Sequence, residues 1–143
     1  EKMTHESLSK KIVPKSYDLF LKPNFETFKF EGKVTTHVVV NEPTKEIIVN
    51  AAELDIKEEN IKVGSGQKLA KTEYKEKEEQ YVMTFEEAIT ENTTLEMTFV
   101  GTLNDQMRGF YRSKYNDIEG NSKYMATTQF EPSDARRCFP CWD

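Results

Sequence analysis

A chain of 143 residues can close one hydrophobic core and leaves no room for a second domain of ordinary size. Charged residues at 31% against a 36% apolar set make it polar for a globular protein, yet nine Phe and six Tyr supply more apolar surface than a disordered chain carries. A formal net charge of -5 gives no electrostatic reason to bind nucleic acid, whose phosphates need clustered Lys and Arg, and the Lys10-Lys11 pair does not supply a cluster.

In chain order, residues 1–11 hold five Lys/Glu charges and little apolar pattern, which predicts a mobile lead-in ahead of a single domain over 12–143. Tyr17, Leu19 and Leu21 alternate with Asp18, Phe20 and Lys22, the period of two expected of a half-buried strand, and Pro23-Asn24 breaks it. Phe28, Phe30, Val34, Thr36, Val38 and Val40 share one parity while Lys29, Glu31, Lys33, Thr35 and His37 share the other, with Gly32 predicted as a bend or bulge. Glu42-Pro43-Thr44 reads as a turn and Ile47-Ile48-Val49 as a short, largely buried strand. Leu54, Ile56, Ile61 and Val63 continue in pieces around an acidic turn at Lys57 to Asn60.

Gly64-Ser65-Gly66 and the run Lys75-Glu76-Lys77-Glu78-Glu79 read as loops flanking a strand near Thr72 to Tyr74, and the run needs no chemistry to explain it. Tyr81, Met83 and Phe85 alternate, as do Leu95, Met97 and Phe99. Gly109, Gly120, Phe110, Tyr111, Tyr115 and Tyr124 surround a further strand region that leads into Ala126 to Phe130. Short strands separated by turns, without an amphipathic helix, predict an all-β fold: an antiparallel β-sandwich or saddle.

No apolar run reaches the roughly 18 residues of a membrane span, so no membrane partner is expected. Cytoplasmic location with reduced cysteines is the expectation; because the first residue is Glu1 and not Met, a membrane-anchored or secreted form stays open, and only there would the Asn92-Thr93-Thr94 acceptor triplet matter.

Two histidines limit the chemistry. His5 lies in the lead-in and His37 on the solvent face of a strand, and neither has the i, i+4 partner of a helical zinc site. No Gly-rich phosphate loop, G-x-S-x-G elbow or Ser/His/Asp set occurs, so we assign no catalytic and no metal-binding residue to the chain. Cys138-Phe139-Pro140-Cys141 has the spacing of a redox dithiol or half a zinc knuckle. A structural zinc needs four ligands and no second Cys or His pair is present, while a thioredoxin-like dithiol needs a βαβ context, so two buried small side chains without a bridge are expected.

Gln129 and Glu131 are the candidate binding residues. At i and i+2 on an extended segment they project from one face while Phe130 points the other way. Read from the residues alone, Glu131 is first a local partner of Arg136 or Arg137, and Arg136, Asp134 and Trp142 are structural.

Three stretches carry a resemblance. The segment from Thr127-Thr128-Gln129-Phe130-Glu131 through Asp134-Ala135-Arg136 to Phe139-Pro140-Cys141-Trp142-Asp143 resembles the TQFE..DAR..FPCWDEP segment of the zinc aminopeptidases of the gluzincin family, the puromycin-sensitive aminopeptidase and aminopeptidase N type. Gly101-Thr102-Leu103-Asn104-Asp105 with Met107 and Gly109-Phe110-Tyr111-Arg112-Ser113 resembles the family's G.LND.M.GFYRS run, and Pro14 to Leu21 its P..YDL.L opening. The three come in the family's order across nearly the whole chain.

The resemblance implies a β-structured N-terminal domain, and it reverses the local reading of Glu131. In such enzymes the Gln and Glu of TQFE line the pocket for the first residue of a peptide substrate with a free N-terminus, the Glu holding its α-ammonium. The family's zinc, bound by an H-E-x-x-H helix and a further Glu, would lie in a downstream catalytic domain, because none of those ligands is among the 143 residues. Cys138 stands where the family often has Ala. The chain is thus expected to be an incomplete N-terminal part of an aminopeptidase, inactive by itself; the alternatives are a stand-alone non-catalytic β-sandwich binding module and a purely structural interaction domain.

Overall fold

A computed structural model describes residues 10–103, 109–116, 122–129 and 135–142. Ten antiparallel strands make up nearly all of it: β1 (Ile12–Asn24), β2 (Lys29–Val40), β3 (Thr44–Asn50), β4 (Asp55–Ile56), β5 (Lys62–Val63), β6 (Leu69–Lys75), β7 (Gln80–Ile89), β8 (Thr93–Thr102), β9 (Gly109–Asn116) and β10 (Ser122–Gln129). Single 3-10 turns occupy Glu58–Asn60 and Ala135–Arg137. The expected lead-in falls at 1–9 outside the described residues, while at its end Asn41 donates its backbone N–H to the Lys11 carbonyl at 2.6 Å and its side-chain Nδ2 to that of Lys10 at 2.8 Å.

Three sheets result. β1, β2 and β8 run side by side, with the short β4 and β5 both pairing on the far side of β8; β3, β7 and β6 form a three-stranded sheet; β9 and β10 form a hairpin. The chain changes sheet after β2 through Asn41–Pro43 and again after β7 through Thr90–Asn92, where the Asn92 side chain accepts the Val40 N–H at 2.9 Å. Two sheets with the chain crossing between them bury their inner faces against each other. Phe30, Val34 and Val38 of β2 and Leu95, Met97 and Phe99 of β8 meet Ile47 and Val49 of β3 and Met83 and Phe85 of β7 in one cluster. The alternation predicted an all-β sandwich, and this is the sandwich that forms.

Two differences from the sequence reading have physical causes. Gly32 is neither bend nor bulge: it pairs in register with Leu21 and Phe99, and the irregularity in the β1–β2 ladder lies between Pro14 and Ser16. The glycine is needed because a Cβ there would sit 2.3 Å from Cε2 and 2.4 Å from Cζ of Phe99. Directly across the same pair of strands the arrangement is repeated in reverse, Phe30 lying opposite Gly101 with its Cζ 2.4 Å from where a Cβ would be. The two rings meet edge to face at 6.4 Å between centroids, an orientation favoured by the ring quadrupole.

Leu19 is the second difference. It shares the inward parity of Tyr17 and Leu21, yet it is 40% exposed. β1 is an edge of the wider sheet, and among the described strands only three oppose that sheet, so the middle of its edge strand overhangs the core.

Candidate functional site

The segment that carries the resemblance returns to the sandwich through its last residues. At Ala135–Arg137 the chain makes one tight turn, with the Cys138 and Phe139 N–H groups both donating to the Ala135 carbonyl, at 2.9 and 3.0 Å. Pro140 cannot donate, and the extended residue after it pairs with the end of β3: Asn50 N–H donates to Cys141 O at 2.6 Å and Cys141 N–H to Asn50 O at 3.0 Å. Ala52 N–H adds a bond to the Arg136 carbonyl at 3.0 Å. β1 closes the other side: the Tyr17 hydroxyl accepts the Trp142 N–H at 2.9 Å, and its ring meets Phe139 edge to face at 5.2 Å.

Both cysteines are free and buried. Burial alone pushes the Cys138 thiol up to about 12, so it stays protonated and is a poor nucleophile and a poor metal ligand. The expected pair of small buried side chains is what the fold contains. Because a thiolate is the form that binds zinc, the Cys138 thiol does not suit the metal implied by the resemblance, and among the described residues no three His, Cys, Asp or Glu side chains converge. His37 sits on the exposed outer face as expected, its Nε2 2.9 Å from an Asp18 carboxylate oxygen, and His5 lies outside the described residues.

The two arginines are held by carboxylates far upstream. Arg136, whose side chain is only 10% exposed, donates from Nη1 to Glu79 Oε1 at 3.0 Å; Arg137 reaches Glu53 Oε1 at 3.0 Å and Glu79 Oε2 at 3.7 Å. Glu53 and Glu79 both have positive φ, 61° and 56°, a backbone region that costs a non-glycine residue about 1 kcal/mol. Their loops meet directly, since Ala51 N–H donates to the Glu79 carbonyl at 2.8 Å. Tyr74 borders the cluster and donates its hydroxyl to the Ala51 carbonyl at 2.9 Å. Burial first, then the carboxylates of Glu79, Glu76 and Glu53, raise that phenol above its ordinary value.

Sequence reasoning missed Glu53 and Glu79, and Glu79 belonged to a run read as solvated loop. The available signal was the adjacent pair Arg136-Arg137 next to the apolar Cys138-Phe139, since two guanidiniums entering a core require acceptors. Of the candidate binding residues, Gln129 closes β10 opposite Gly109 of β9, and Glu131 lies outside the described residues. The hairpin that carries Gln129 meets the sandwich where β9 contacts the Ala135–Arg137 turn.

Comparison with known proteins fits this arrangement. The model of the peptidase M1 N-terminal domain matches residues 13–143. Aminopeptidase 2, mitochondrial, of Saccharomyces cerevisiae is 43% identical over 96% of this chain and 15% of its own length. Aminopeptidase M1-C of Oryza sativa is 46% identical over 92% of this chain and 15% of its own, and aminopeptidase M1 of Arabidopsis thaliana 42% identical over 95% and 16%. The chain thus spans about a sixth of the length of such relatives. Among the described residues no helix is long and apolar enough to cross a membrane. With a family model covering all but its first residues and relatives above 40% identity along it, the chain belongs to the M1 peptidase family, of which it is an N-terminal domain.

Proposed function

We propose that this chain is the substrate-recognition part of a zinc-dependent aminopeptidase, which releases single residues from the free amino end of peptides, and that Gln129 and Glu131 contact the substrate's first residue. The observation that carries the reading is the stretch Thr127 to Asp143. It has the residues of the family's recognition segment, its final part is pinned to β1 and β3, and its matched relatives bear the name aminopeptidase. Glu131 accepts a charge-assisted hydrogen bond from the α-ammonium, a bond roughly twice as strong as a neutral one, and an acylated amine cannot make it. Gln129 acts on the side chain of that first residue.

Zinc and its activated water belong to a catalytic domain elsewhere in the complete protein, with which this domain shares the substrate. The isolated chain has no hydrolytic activity in this reading, and the complete protein is cytoplasmic.

The test is Glu131→Gln in the complete protein. Removing one partner of a desolvated charged bond costs about 2 to 5 kcal/mol, so kcat/KM for a free-amine substrate falls by roughly 30-fold to several thousand-fold while zinc content is unchanged. Gln129→Ala changes the ranking of substrates with different N-terminal residues. A fall of less than about twofold for Glu131→Gln in a folded protein removes the amine-anchor role. A reading frame that ends after Asp143 would replace the enzyme reading by the stand-alone binding module.

A further inference from the structure

We propose that the cluster of Glu53 and Glu79 with Arg136 and Arg137 is the positioning device that sets the substrate-recognition strand relative to the sandwich. The inference rests on the reading above and adds to it the residues through which the domain core controls amine selection.

Its parts form a continuous chain of contacts. Glu79 ends the four-residue turn between β6 and β7, and Glu53 follows β3. Both turn back in the left-handed region and present carboxylates to adjacent guanidiniums of the closing segment. The left-handed φ of Glu79 closes the β6–β7 turn, in which its N–H donates to the Glu76 carbonyl at 3.1 Å, and so fixes the direction in which its side chain leaves the hairpin. Arg136 O is bound as well, by Ala52 N–H at 3.0 Å, so the turn at 135–137 is fixed from its side chains and from its main chain. That turn contacts β9, and β9 pairs residue by residue with β10 up to Gln129 opposite Gly109. Among the described elements, this turn is one through which the hairpin touches the rest of the fold.

The tether also acts along the chain. Glu131 precedes Ala135 by four residues, which reach at most about 14 Å even when fully extended. Charge type matters in such a clasp. Arg136, its side chain only 10% exposed, meets Glu79 Oε1 at 3.0 Å from one terminal nitrogen of a planar guanidinium, whose reach and orientation a lysine ammonium on a flexible stem does not reproduce. Misplacing a recognition group by about 1 Å can cost on the order of 100-fold, so a loosened clasp should show first in selectivity for the substrate amine.

The complete protein is the material for the test. Competitive inhibition constants are measured for an amino-acid amide with a free α-ammonium and for the same molecule acetylated on that nitrogen, in the wild type and in Glu79→Gln, Arg136→Lys, Glu131→Gln and Glu79→Gln/Glu131→Gln. The preference for the free amine should fall at least about fivefold in Glu79→Gln and about threefold in Arg136→Lys, and the double variant should lie within about twofold of Glu131→Gln alone, because residues acting through one contact are not additive. A purely structural role would lower the amount of active protein and kcat but leave the ratio of inhibition constants in place. If Glu79→Gln yields too little folded protein, Arg136→Lys decides by the same ratio.

Ratios within twofold of wild type for Glu79→Gln and Arg136→Lys, with Glu131→Gln strongly changed, overturn the positioning role and leave the recognition reading standing. Effects of Glu79→Gln and Glu131→Gln that multiply in full overturn it too, since Glu79 would then act elsewhere. An unchanged ratio in Glu131→Gln itself removes both.

Discussion

Placing a methyl group at Gly101 should damage the domain far more than placing one at Gly66. At Gly101 a Cβ falls 2.4 and 2.6 Å from two atoms of the Phe30 ring and 2.9 Å from Leu54 Cδ2, and Phe30 is only 1% exposed, so the ring has no solvent to swing into. Overpacking of this kind costs about 1 to 3 kcal/mol, and moving Phe30 also disturbs its edge contact with Phe99, worth about 0.5 to 1.5 kcal/mol. The expected loss for Gly101→Ala is therefore about 2 to 4 kcal/mol. At Gly66 nothing lies within 4 Å, and the only penalty is a φ of +97°, on the order of 1 kcal/mol. Urea unfolding followed by circular dichroism and by the fluorescence of Trp142 measures the difference. With a slope of about 2 kcal/mol per molar urea, the middle of the usual range, Gly101→Ala should lower the midpoint by roughly 1 to 2 M. Pairing it with Phe30→Leu should cost less than the sum of the two single changes. A Gly101→Ala protein no less stable than Gly66→Ala would refute the crossed ring-over-glycine packing as the reason for these glycines.

Two other expectations concern the closing segment. Because burial raises the Cys138 thiol from 9.0 to about 12, the folded state holds its proton more tightly than the unfolded one. Its contribution to stability is complete below about pH 9 and is lost as pH rises from there towards 12, and alkylation at pH 8 should proceed only at the rate of opening; rapid modification without denaturant would contradict the burial. Tyr17→Phe deletes the acceptor of the Trp142 N–H and should cost about 1 to 2 kcal/mol with a red shift of tryptophan emission; unchanged emission and midpoint would mean that β1 does not hold the segment.

The fold was legible wherever alternation had two faces to distinguish. The even positions of β2, Tyr81, Met83 and Phe85 of β7 and the odd positions of β8 are inward in the sequence pattern and in the structure alike, because a strand between two neighbours with one face on the core buries its apolar residues on that face. The pattern failed at Leu19, whose parity is right but whose strand is an edge, and at Gly32, where a missing side chain reads the same whether the backbone bends or a ring needs the space. Only the partner strand separates those cases: the residue opposite Gly32 is Phe99, and the register that places it there is a tertiary property.

The site was less legible, for a reason that Glu79 makes plain. Glu76, Glu78 and Glu79 are the same residue in one charged run, and composition gives each the same claim to be solvated. What separates Glu79 is that the β6–β7 hairpin ends beside the loop after β3, where Arg136 enters, 57 residues later in the chain. No local pattern encodes a pairing of that range. The arginines do carry the complementary clue, since a guanidinium flanked by buried cysteine and phenylalanine must find a carboxylate, and the surplus of acidic residues leaves many to choose from. Gln129 and Glu131 stand differently again. Their spacing allows one exposed polar face but equally allows a local ion pair, and only the ordered resemblance around them favours a substrate. In the structure Glu79 meets both arginines and Glu53 meets Arg137, so each guanidinium has a carboxylate partner more than fifty residues upstream, which a reading confined to the local neighbours of Glu131 could not supply.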